Sequence, residues 1–450
     1  MSIPSSHSSF TALGLSEQAL GALQAAHYVQ PTPIQAEAIP PALAGHDVIG
    51  CAATGTGKTA AFTLPIVERL AGKPGTRALV LAPTRELANQ IAEYTARFGA
   101  ARGLRSVTLI GGVGMRPQIT ALRSAPQIAV ATPGRLIDHL EQGTVRLDSV
   151  EILVLDEADR MLDMGFKRQL ERILARLPTP RQTLLFSATT GDEVAAFARR
   201  HLRRNAVSVG VARSGATAER AEQQVFCVSQ GEKTALLLAL LSDGEASTLV
   251  FTRTKHRADK LARSVERAGH KVARIHANRT QSQREQALEG FRDGRYRVLV
   301  ATNIAARGID VAEIGHVVNF DLPNVPADYV HRVGRTARAA ASGVASSFVS
   351  PEERPLLRDI EKFTRRSLPR AEVPRTSPAF RAQLSREAEG NTRQPDFGGS
   401  GKAAGEVPAR HARTHRKRSD PQRQPRPSAA HRDGDGRAML VFSGGPRRRG

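Results

Sequence analysis

The sequence predicts an α/β protein in which two domains, each a parallel sheet covered by helices, are followed by a basic tail. Short apolar runs alternate with stretches of helix length, and this alternation occurs twice along the chain. A polar stretch of small residues at 203–217 separates the two series, and the alternation ends near residue 371. Such alternation is typical of parallel sheets with helices on both faces, and 450 residues are too many for one core.

One helix is predicted at the start of the chain, and six strands are predicted in each series. Ser16 can cap the first helix through its side-chain oxygen. The strands of the first series are expected at Asp47–Gly50, Ala78–Ala82, Val107–Ile110, Ile128–Ala131, Ile152–Leu155 and Thr183–Phe186. Those of the second are expected at Gln224–Val228, Thr248–Thr252, Val272–Ile275, Arg297–Ala301, His316–Phe320 and Ala345–Val349. We therefore expect domains over residues 1–207 and 219–370, a linker over 208–218 and a disordered tail over 371–450.

The charge of the chain favours a polyanionic partner. It contains 65 Lys+Arg against 43 Asp+Glu, a net charge of +22, and its last fifty residues hold 13 basic and four acidic side chains. Such an excess predicts nucleic acid before a membrane. No apolar run is long enough to cross a bilayer, and the first residues lack the pattern of a signal peptide. Cys51 and Cys227 fit neither a disulfide framework nor a zinc site, so we expect small core residues in a reduced, cytoplasmic protein.

A short apolar strand is followed by three carboxylates. Ile152–Leu155 is long enough for a buried strand and too short for a helix core, and Asp156, Glu157 and Asp159 come directly after it. Open parallel sheets bind their ligands at the carboxyl ends of the strands. One carboxylate could hold Mg²⁺ while its neighbour positions a water, and the alternative is a solvated acidic turn.

A phosphate loop lies upstream of these carboxylates. Residues 52–59 read Ala-Ala-Thr-Gly-Thr-Gly-Lys-Thr, between an apolar run and a helix-like stretch. Gly55 and Gly57 let backbone N–H groups point at phosphate oxygens, Lys58 supplies a cation for the β- and γ-phosphates, and the Thr59 hydroxyl can bind Mg²⁺. The alternative is a Gly/Thr loop with an incidental lysine, which the preceding strand and following helix oppose.

Two further features suit a nucleotide. The amide of Gln35, upstream of the loop, offers the donor and acceptor that match adenine N6 and N7. In the second domain, Arg335 and Arg338 are one helical turn apart and could face one point. Guanidinium groups from a second domain suit the charge that develops on a γ-phosphate. The alternative is a solvated basic helix, in which arginines with this spacing are common.

Taken together, these residues resemble the DEAD-box family of ATP-dependent RNA helicases. The four letters appear as Asp156-Glu157-Ala158-Asp159, and the resemblance runs from about Phe10 to about Arg370 with the motifs in the family's order. It implies that both domains are RecA-like. The sequences of Val250–Lys255 and Leu322–Pro326 look most like those of the bacterial RhlE-type branch.

The resemblance implies roles for residues around ATP and Mg²⁺. Asp156 would hold the Mg²⁺ shell, Glu157 would orient or activate the attacking water, and Asp159 would link to neighbouring motifs. Ser187-Ala188-Thr189 resembles the motif that couples hydrolysis to strand separation. The remaining implied nucleotide-site residues are Phe10 and Tyr28 beside adenine, Gln35 on adenine, Thr54, Gly55, Thr56, Gly57, Lys58 and Thr59 at the phosphates, Asp310 at the ribose, Arg335 and Arg338 as arginine fingers, and His331 as a bridge to the first domain.

The resemblance also implies an RNA-binding set. Most of its members are glycine and hydroxyl-bearing residues that allow close approach to a sugar–phosphate backbone, or arginines that neutralise it. They are Pro83, Thr84, Arg85, Gly112, Thr132 and Arg135 in the first domain and Thr252, Gln281, Arg284 and Thr302 in the second. None forms a base-reading array, so we expect largely sequence-independent binding, with RNA distinguished by its 2′-hydroxyls and A-form shape.

Four positions depart from the family pattern. Asn303 stands where aspartate is common, which removes one charge at the domain interface, and Ala277 replaces a usual glycine. Ala337 and Ala340 replace common glycines, and their methyl groups could alter a tight turn or the closure of the domains. Because none removes a group expected at Mg²⁺, the γ-phosphate or adenine, we expect activity to survive.

The function implied is local unwinding or remodelling of RNA and ribonucleoproteins, driven by ATP binding and hydrolysis. Ribosomal precursors or RNA-decay proteins are candidate partners, and no membrane is expected. Two alternatives stay open: an RNA chaperone or nucleotide-gated RNA clamp with weak unwinding, and a DNA-directed motor, since DNA translocases share the bipartite α/β core.

Overall fold

The computed structural model of the protein describes residues 9–52, 55–210, 221–303, 314–336 and 343–392. Within these ranges two seven-stranded sheets follow one another along the chain, and all their strand pairs are parallel. Both sheets carry helices on their faces. The predicted fold class, two tandem RecA-like α/β domains, is therefore confirmed for the described residues.

The first sheet has the strand order β3-β4-β2-β5-β6-β1-β7. Its strands are β1 Val48–Cys51, β2 Ala78–Leu81, β3 Ser106–Leu109, β4 Ile128–Ala131, β5 Ile152–Leu155, β6 Gln182–Ser187 and β7 Val207–Gly210. Its helices are α1 Glu17–Ala25, α2 Pro33–Leu43, α3 Lys58–Leu70, α4 Arg85–Gly99, α5 Met115–Arg123, α6 Pro133–Glu141, α7 Ala158–Asp163, α8 Lys167–Leu174 and α9 Asp192–His201.

The second sheet repeats this plan in the order β10-β11-β9-β12-β13-β8-β14. Its strands are β8 Glu222–Cys227, β9 Thr248–Thr252, β10 Val272–Ile275, β11 Val298–Thr302, β12 His316–Asn319, β13 Val344–Val349 and β14 Arg370–Ala371. The described helices around it are α10 Lys233–Ser242, α11 Lys255–Arg267, α12 Gln281–Arg292, α13 Pro326–Val333, α14 Arg354–Thr364 and α15 Pro378–Thr392.

The central strands are buried on both faces, which explains their continuous apolar runs. Ala78, Val80, Ile152 and Val154 enter one core, while the alternate residues of β2 and β5 enter a second core on the other face of the sheet. Successive side chains of a strand point to opposite faces, so helices must cover both. The cores fix β1, β5 and β6 as neighbours, which places the residues that follow them at one edge.

The boundary of the predicted tail is wrong for residues 371–392. Ala371 belongs to β14, which pairs with β8, and α15 packs against α10. The physical reason is that α10 is apolar all round, so it must be covered on the side away from the sheet. Phe380 and Gln383 of α15 provide this cover and are themselves buried. The tail from residue 393 onward lies outside the described residues.

Two smaller expectations are also corrected. The predicted linker begins too early, because β7 continues to Gly210 and pairs with β1 at the sheet edge; residues 211–220 lie outside the described ranges. The cysteines are not core residues, since Cys227 is exposed and Cys51 is only partly buried. No helix in the described part of the chain is long and apolar enough to cross a membrane.

Candidate active site

The phosphate loop joins β1 to α3. Gly55 and Gly57 have φ angles of +83° and +91°, a region that favours glycine, and α3 begins directly afterwards at Lys58. The first N–H groups of α3 therefore face the loop, with the positive end of the helix dipole behind them. Lys58 Nζ donates a hydrogen bond to the Ala52 carbonyl at 2.8 Å and is 6% exposed. Thr54 lies outside the described residues.

Gln35 supports the loop from α2. Its side chain is fully buried, its Oε1 accepts from the Thr32 backbone N–H at 2.9 Å, and its Nε2 donates to the Gly57 carbonyl at 3.1 Å. A side chain at position 57 would collide with this amide, because an added Cβ would lie 2.3 Å from Nε2. An amide carries a second donor and a second lone pair, so adenine recognition by Gln35 stays a prediction.

The two predicted adenine-flanking aromatics lie together. Their ring centroids are 6.3 Å apart in an edge-to-face arrangement. Phe10 is 4% exposed within the hydrophobic core, whereas Tyr28 is partly exposed and also contacts Phe98 at 5.8 Å. Phe10 thus has a structural role here, and Tyr28 has the more accessible ring.

The acidic residues after β5 are buried. Asp156 and Glu157 are 2% and 3% exposed, and the Glu157 backbone N–H donates to Asp156 Oδ1 at 3.0 Å. Burial raises the pKa of Asp156 to about 7; the charge of Lys58 opposes this shift and the charge of Glu157 adds to it. Glu157 adopts a left-handed backbone conformation with φ of 51° at the start of α7. This strain is retained where two carboxylates are brought side by side.

The donor set around the loop fits Mg²⁺. The described residues contain no group of three His, Cys, Asp or Glu side chains that could hold a metal. Mg²⁺ does not require one, because it keeps several waters and takes one or two carboxylates together with substrate phosphates. The buried carboxylate of Asp156 and the hydroxyl of Thr59, in the first turn of α3, are oxygen donors of the kind it prefers.

Asp159 connects the acidic segment to the end of β6. Its Oδ2 accepts from the backbone N–H groups of Ala188 and Thr189 at 3.1 and 3.0 Å and from Thr189 Oγ1 at 3.1 Å. Ser187 Oγ donates to the Thr189 carbonyl at 2.6 Å. The Ser187-Ala188-Thr189 segment is therefore held against α7 by one carboxylate, so movement of either segment affects the other.

The arginines of the second domain meet the first domain in a small pocket. Arg160, from α7, pairs with Glu157 across 3.5 Å and lines this pocket. The other lining residues come from the second domain: Phe251, Asn303, Asp328, His331, Arg332 and Arg335. Arg335 is 2% exposed. The structure thus connects Glu157 to two predicted residues, His331 and Arg335; Arg338 and Asp310 lie outside the described residues.

Sequence reasoning missed the residues that orient this arginine cluster. Arg332 is 3% exposed, lies over the Phe251 ring, and donates to Asn319 Oδ1 at 3.1 Å and the Asp321 carbonyl at 2.7 Å. Its Nε donates to Asn303 Oδ1 at 3.1 Å. The Asn303 amide in turn donates to Asp328 Oδ2 at 2.5 Å. An amide satisfies both neighbours because it has a donor as well as an acceptor, whereas an ionised carboxylate has acceptors only.

The predicted RNA-binding residues of the first domain interlock. A Cβ on Gly112, whose φ is +78°, would lie 1.9 Å from Arg85 Nη1, so only glycine allows this approach. Thr84, which follows Pro83, caps α4 by accepting from the Leu87 N–H at 3.3 Å. Thr132 is the N-cap of α6, and Arg135 Nη1 donates to the Val113 carbonyl at 3.0 Å.

The two predicted RNA-binding sets face each other across α4 and α12. Arg284 pairs with the buried Glu86 across 2.9 Å, and Glu285 Oε1 accepts from Asn89 Nδ2 and Gln281 Nε2 at 3.0 Å each. Burial lowers the pKa of Arg85, and the charges of Arg284 and Arg135 add to this shift. Thr252 and Thr302 end the neighbouring strands β9 and β11 in register. Guanidinium groups of both domains therefore share one electropositive region.

Two buried side chains that support this region carried no distinguishing signal in the sequence. Gln118 Oε1 accepts from the Ile110 N–H at 3.1 Å, and its Nε2 donates to the Ile110 and Gly114 carbonyls. His139, fully buried on α6, lies 3.3 Å from Gln118 Oε1. Burial lowers the pKa of His139. Gln118 and His139 therefore connect the segment from Ile110 to Gly114 to helix α6.

Comparison with known proteins identifies the family. The family model described as DEAD/DEAH box helicase matches residues 32–197 of the chain. The model described as Helicase conserved C-terminal domain matches residues 232–340. The chain is 43% identical to DEAD-box ATP-dependent RNA helicase CshA of Geobacillus kaustophilus, over 83% of this chain and 80% of that protein. It is 41% identical to ATP-dependent RNA helicase CshA of Limosilactobacillus reuteri, over 84% of this chain and 76% of that one.

Solved structures agree with this assignment. S. cerevisiae Dbp5 bound to RNA and ADP BeF3 aligns with a TM-score of 0.75 and 32% identity, over 84% of this chain and 99% of that one. DEAD-box helicase Mss116 bound to ssRNA and UDP-BeF aligns with a TM-score of 0.76 and 27% identity, over 84% and 81% of the two chains. This chain belongs to the DEAD-box family of ATP-dependent RNA helicases.

Proposed function

We propose that this protein is an RNA-stimulated ATPase that uses ATP binding and hydrolysis for local, largely sequence-independent unwinding or remodelling of RNA. One observation carries the proposal. Glu157 is paired with Arg160, and Arg160 lines the same pocket as His331 and Arg335 of the second domain. The carboxylate that orients water and the guanidinium that stabilises phosphate charge thus belong to one site only when the domains meet.

ATP would bind with its phosphates on the loop. The backbone N–H groups at the start of α3 would donate to phosphate oxygens, and the Lys58 ammonium would exchange the Ala52 carbonyl for them. Mg²⁺, held by Asp156 and Thr59, would neutralise charge on the β- and γ-phosphate oxygens. Gln35 would couple adenine binding to the position of the loop, because its amide already donates to the Gly57 carbonyl.

Hydrolysis would then use Glu157 and Arg335. Glu157 orients a water whose oxygen bonds to the γ-phosphorus, the bond from that phosphorus to the bridging oxygen breaks, and ADP and inorganic phosphate leave. Arg335 stabilises the charge that develops on the transferred group. Closure completes this site, which explains why RNA, bound by both domains through Arg85 and Arg284, would stimulate the reaction.

The finer assignments are part of this proposal. Val250–Lys255 and Leu322–Pro326 support an RhlE-type branch, whereas the bacterial relatives described above carry the name CshA. We infer a cytoplasmic location from the cysteine pattern, whereas work on ribosomal precursors or with RNA-decay proteins follows from the bacterial resemblance alone. The basic residues after 392 would add a salt-sensitive RNA tether, so removing residues 393–450 should weaken RNA affinity most at low salt.

Steady-state ATPase assays test the proposal. The rate is measured without nucleic acid, with single-stranded RNA and with DNA of the same sequence, for the natural protein and for Glu157→Gln. We expect stimulation by RNA that the variant loses. Equal stimulation by DNA would favour a DNA-directed motor. An absence of stimulation by either would leave the RNA chaperone or clamp.

A further inference from the structure

Helix α14 carries an exposed aromatic side chain on a basic surface. The helix buries Leu357 and Ile360 against the second domain. Phe363 follows Ile360 by three residues on the same helix and is nevertheless 52% exposed. Four large hydrophobic side chains are exposed in the described part of the chain, and Phe363 is the aromatic one among them. The Phe363 ring is not part of the hydrophobic core of the second domain, so core packing does not explain an aromatic residue at this position.

The charges around Phe363 are strongly unbalanced. Between Arg354 and Arg370 the chain has six basic and two acidic residues. Of the two acids, Glu361 is already engaged by Arg370 at 3.0 Å and by the Leu368 N–H, which leaves the exposed Asp359. We define the α14 surface as Phe363 with its exposed basic neighbours, which form no ion pair with a described residue: Arg354, Arg358, Lys362, Arg365 and Arg366.

The spacing of these side chains suits an extended polyanion. Arg354, Arg358 and Lys362 are four residues apart, so they lie on one side of α14 in successive turns. Arg365 adopts a left-handed conformation with φ of 54° where the helix ends, and Arg366 follows. The surface therefore presents cations over the full length of the helix, with a ring near its end.

The α14 surface is separate from the predicted RNA-binding residues of α12. Helix α14 connects β13 to β14, at one end of the second sheet, whereas α12 with Gln281 and Arg284 connects β10 to β11 at the other end. Five strand spacings separate β8 from β10, which corresponds to roughly 25 Å. A nucleic acid held at Gln281 and Arg284 would therefore have to extend along the second domain to reach α14.

We propose that the α14 surface is a second RNA-binding site, at which a base of a single-stranded segment stacks on Phe363 and the adjoining phosphates contact Arg358, Lys362 and Arg365. The proposal rests on the proposed function and adds an anchor outside the domain cleft. Exposed aromatic rings among cations are the usual means of binding single strands without sequence preference. A membrane would require a wider apolar face than one ring, so RNA is the occupant that the surface fits.

A fluorescence experiment isolates this position. The chain contains no tryptophan, so Phe363→Trp introduces a single reporter. Titration with long single-stranded RNA should quench its fluorescence saturably in the absence of ATP. Val29→Trp, at an 85% exposed position in the first domain, is the matched reporter that should not change. No quenching at position 363, or quenching by anionic vesicles or an acidic peptide but not by RNA, would overturn the proposal.

Affinity measurements separate stacking from charge. Phe363→Leu and the double variant Arg358→Ser/Lys362→Ser should each weaken binding of long RNA by about tenfold, while Phe363→Tyr should retain it. The control is Arg168→Ser/Arg176→Ser, which removes two exposed cations from the region of α8. Binding of long RNA that is unchanged in Phe363→Leu, or lowered equally by the control pair, would contradict the proposal.

The ATPase rate distinguishes this inference from the proposed function. With a short RNA at saturation, all α14 variants should hydrolyse ATP at the natural rate, because they leave the cleft intact. If the natural protein shows no RNA stimulation, the proposed function fails. If stimulation is normal and position 363 gives no quenching, only the α14 site fails.

Discussion

The two domains have a buried lysine at equivalent positions, and the two lysines have different surroundings. In each domain a lysine begins the helix after the first strand of the fold: Lys58 opens α3 after β1, and Lys233 opens α10 after β8. Among the residues that the structure describes, Lys58 Nζ donates to one backbone carbonyl, that of Ala52. Lys233 Nζ contacts the Phe320 carbonyl at 2.8 Å and the Glu353 carboxylate.

The surroundings of Lys233 complete a closed ion network. Asp321 Oδ1 lies 3.8 Å from its Nζ and also pairs with Arg257, while Glu353 pairs with Arg253 at 3.0 Å. Burial lowers the pKa of Lys233, and Glu353 opposes this shift. The comparison teaches that an ammonium with a single carbonyl partner is left available for an anionic ligand, as we propose for Lys58, whereas an ammonium that carboxylates of the protein already neutralise is a structural element.

Replacing Lys58 should produce the largest loss of activity. Lys58→Ala removes the cation expected at the β- and γ-phosphates, so RNA-stimulated ATPase should fall by about 100-fold or more. Because Lys58 has one hydrogen bond to a described residue, the urea midpoint should stay close to that of the natural protein. A large loss of stability in this variant would break the proposed contrast with Lys233.

Replacing Lys233 should instead affect stability. Lys233→Met leaves Glu353 and Asp321 without their central cation, and breaking a buried ion network costs about 3–5 kcal/mol. Urea denaturation should show this loss, while the ATPase rate of the protein that remains folded should stay within a few-fold of normal. The double variant Lys233→Met/Glu353→Gln is the control, and it should recover part of the stability. Loss of activity without loss of stability would contradict the structural role.

Asn303→Asp sharpens the comparison at the domain interface. A carboxylate here would face Asp328 at the 2.5 Å distance of the present hydrogen bond, so the pair would share a proton and the pKa of one member would rise. We expect ATPase activity reduced by about threefold, with a loss that grows as pH increases. The measurement is the pH–rate profile. Asn303→Asp/Asp328→Asn restores one donor and one acceptor, and failure of this pair to recover the natural profile would refute the argument.

The smallest effect concerns His316, a neutral group in the second sheet. Its Nε2 lies 2.9 Å from Ser346 Oγ, and burial lowers its pKa to about 4. The unfolded chain binds a proton on this residue near pH 6.5, so its contribution to stability is complete above that value and is lost as pH falls towards 4. His316→Asn should reduce this acid sensitivity by about 1–2 kcal/mol, allowing for partial exposure. Identical urea midpoints against pH would show that His316 contributes nothing.

Local sequence determined the sheets and the residues that follow them. The predicted bounds of Ile128–Ala131, Ile152–Leu155, Thr248–Thr252 and Val272–Ile275 equal those of β4, β5, β9 and β10. Such runs are recognisable because burial on both faces requires an unbroken apolar stretch. The phosphate loop was recognisable for a similar reason, since its glycines and lysine are adjacent in the chain.

Only the tertiary structure decided which charged and polar residues act together. Lys233 and Glu353 are 120 positions apart, and Glu86 and Arg284 are similarly remote in sequence. Neither pair has a spacing that a pattern could reveal. Helix α15 escaped prediction because its role is to cover α10, a helix that is apolar all round. The sequence alone therefore determined where phosphate can bind, because that site is local, whereas long-range packing decided which buried charges are neutralised within the protein.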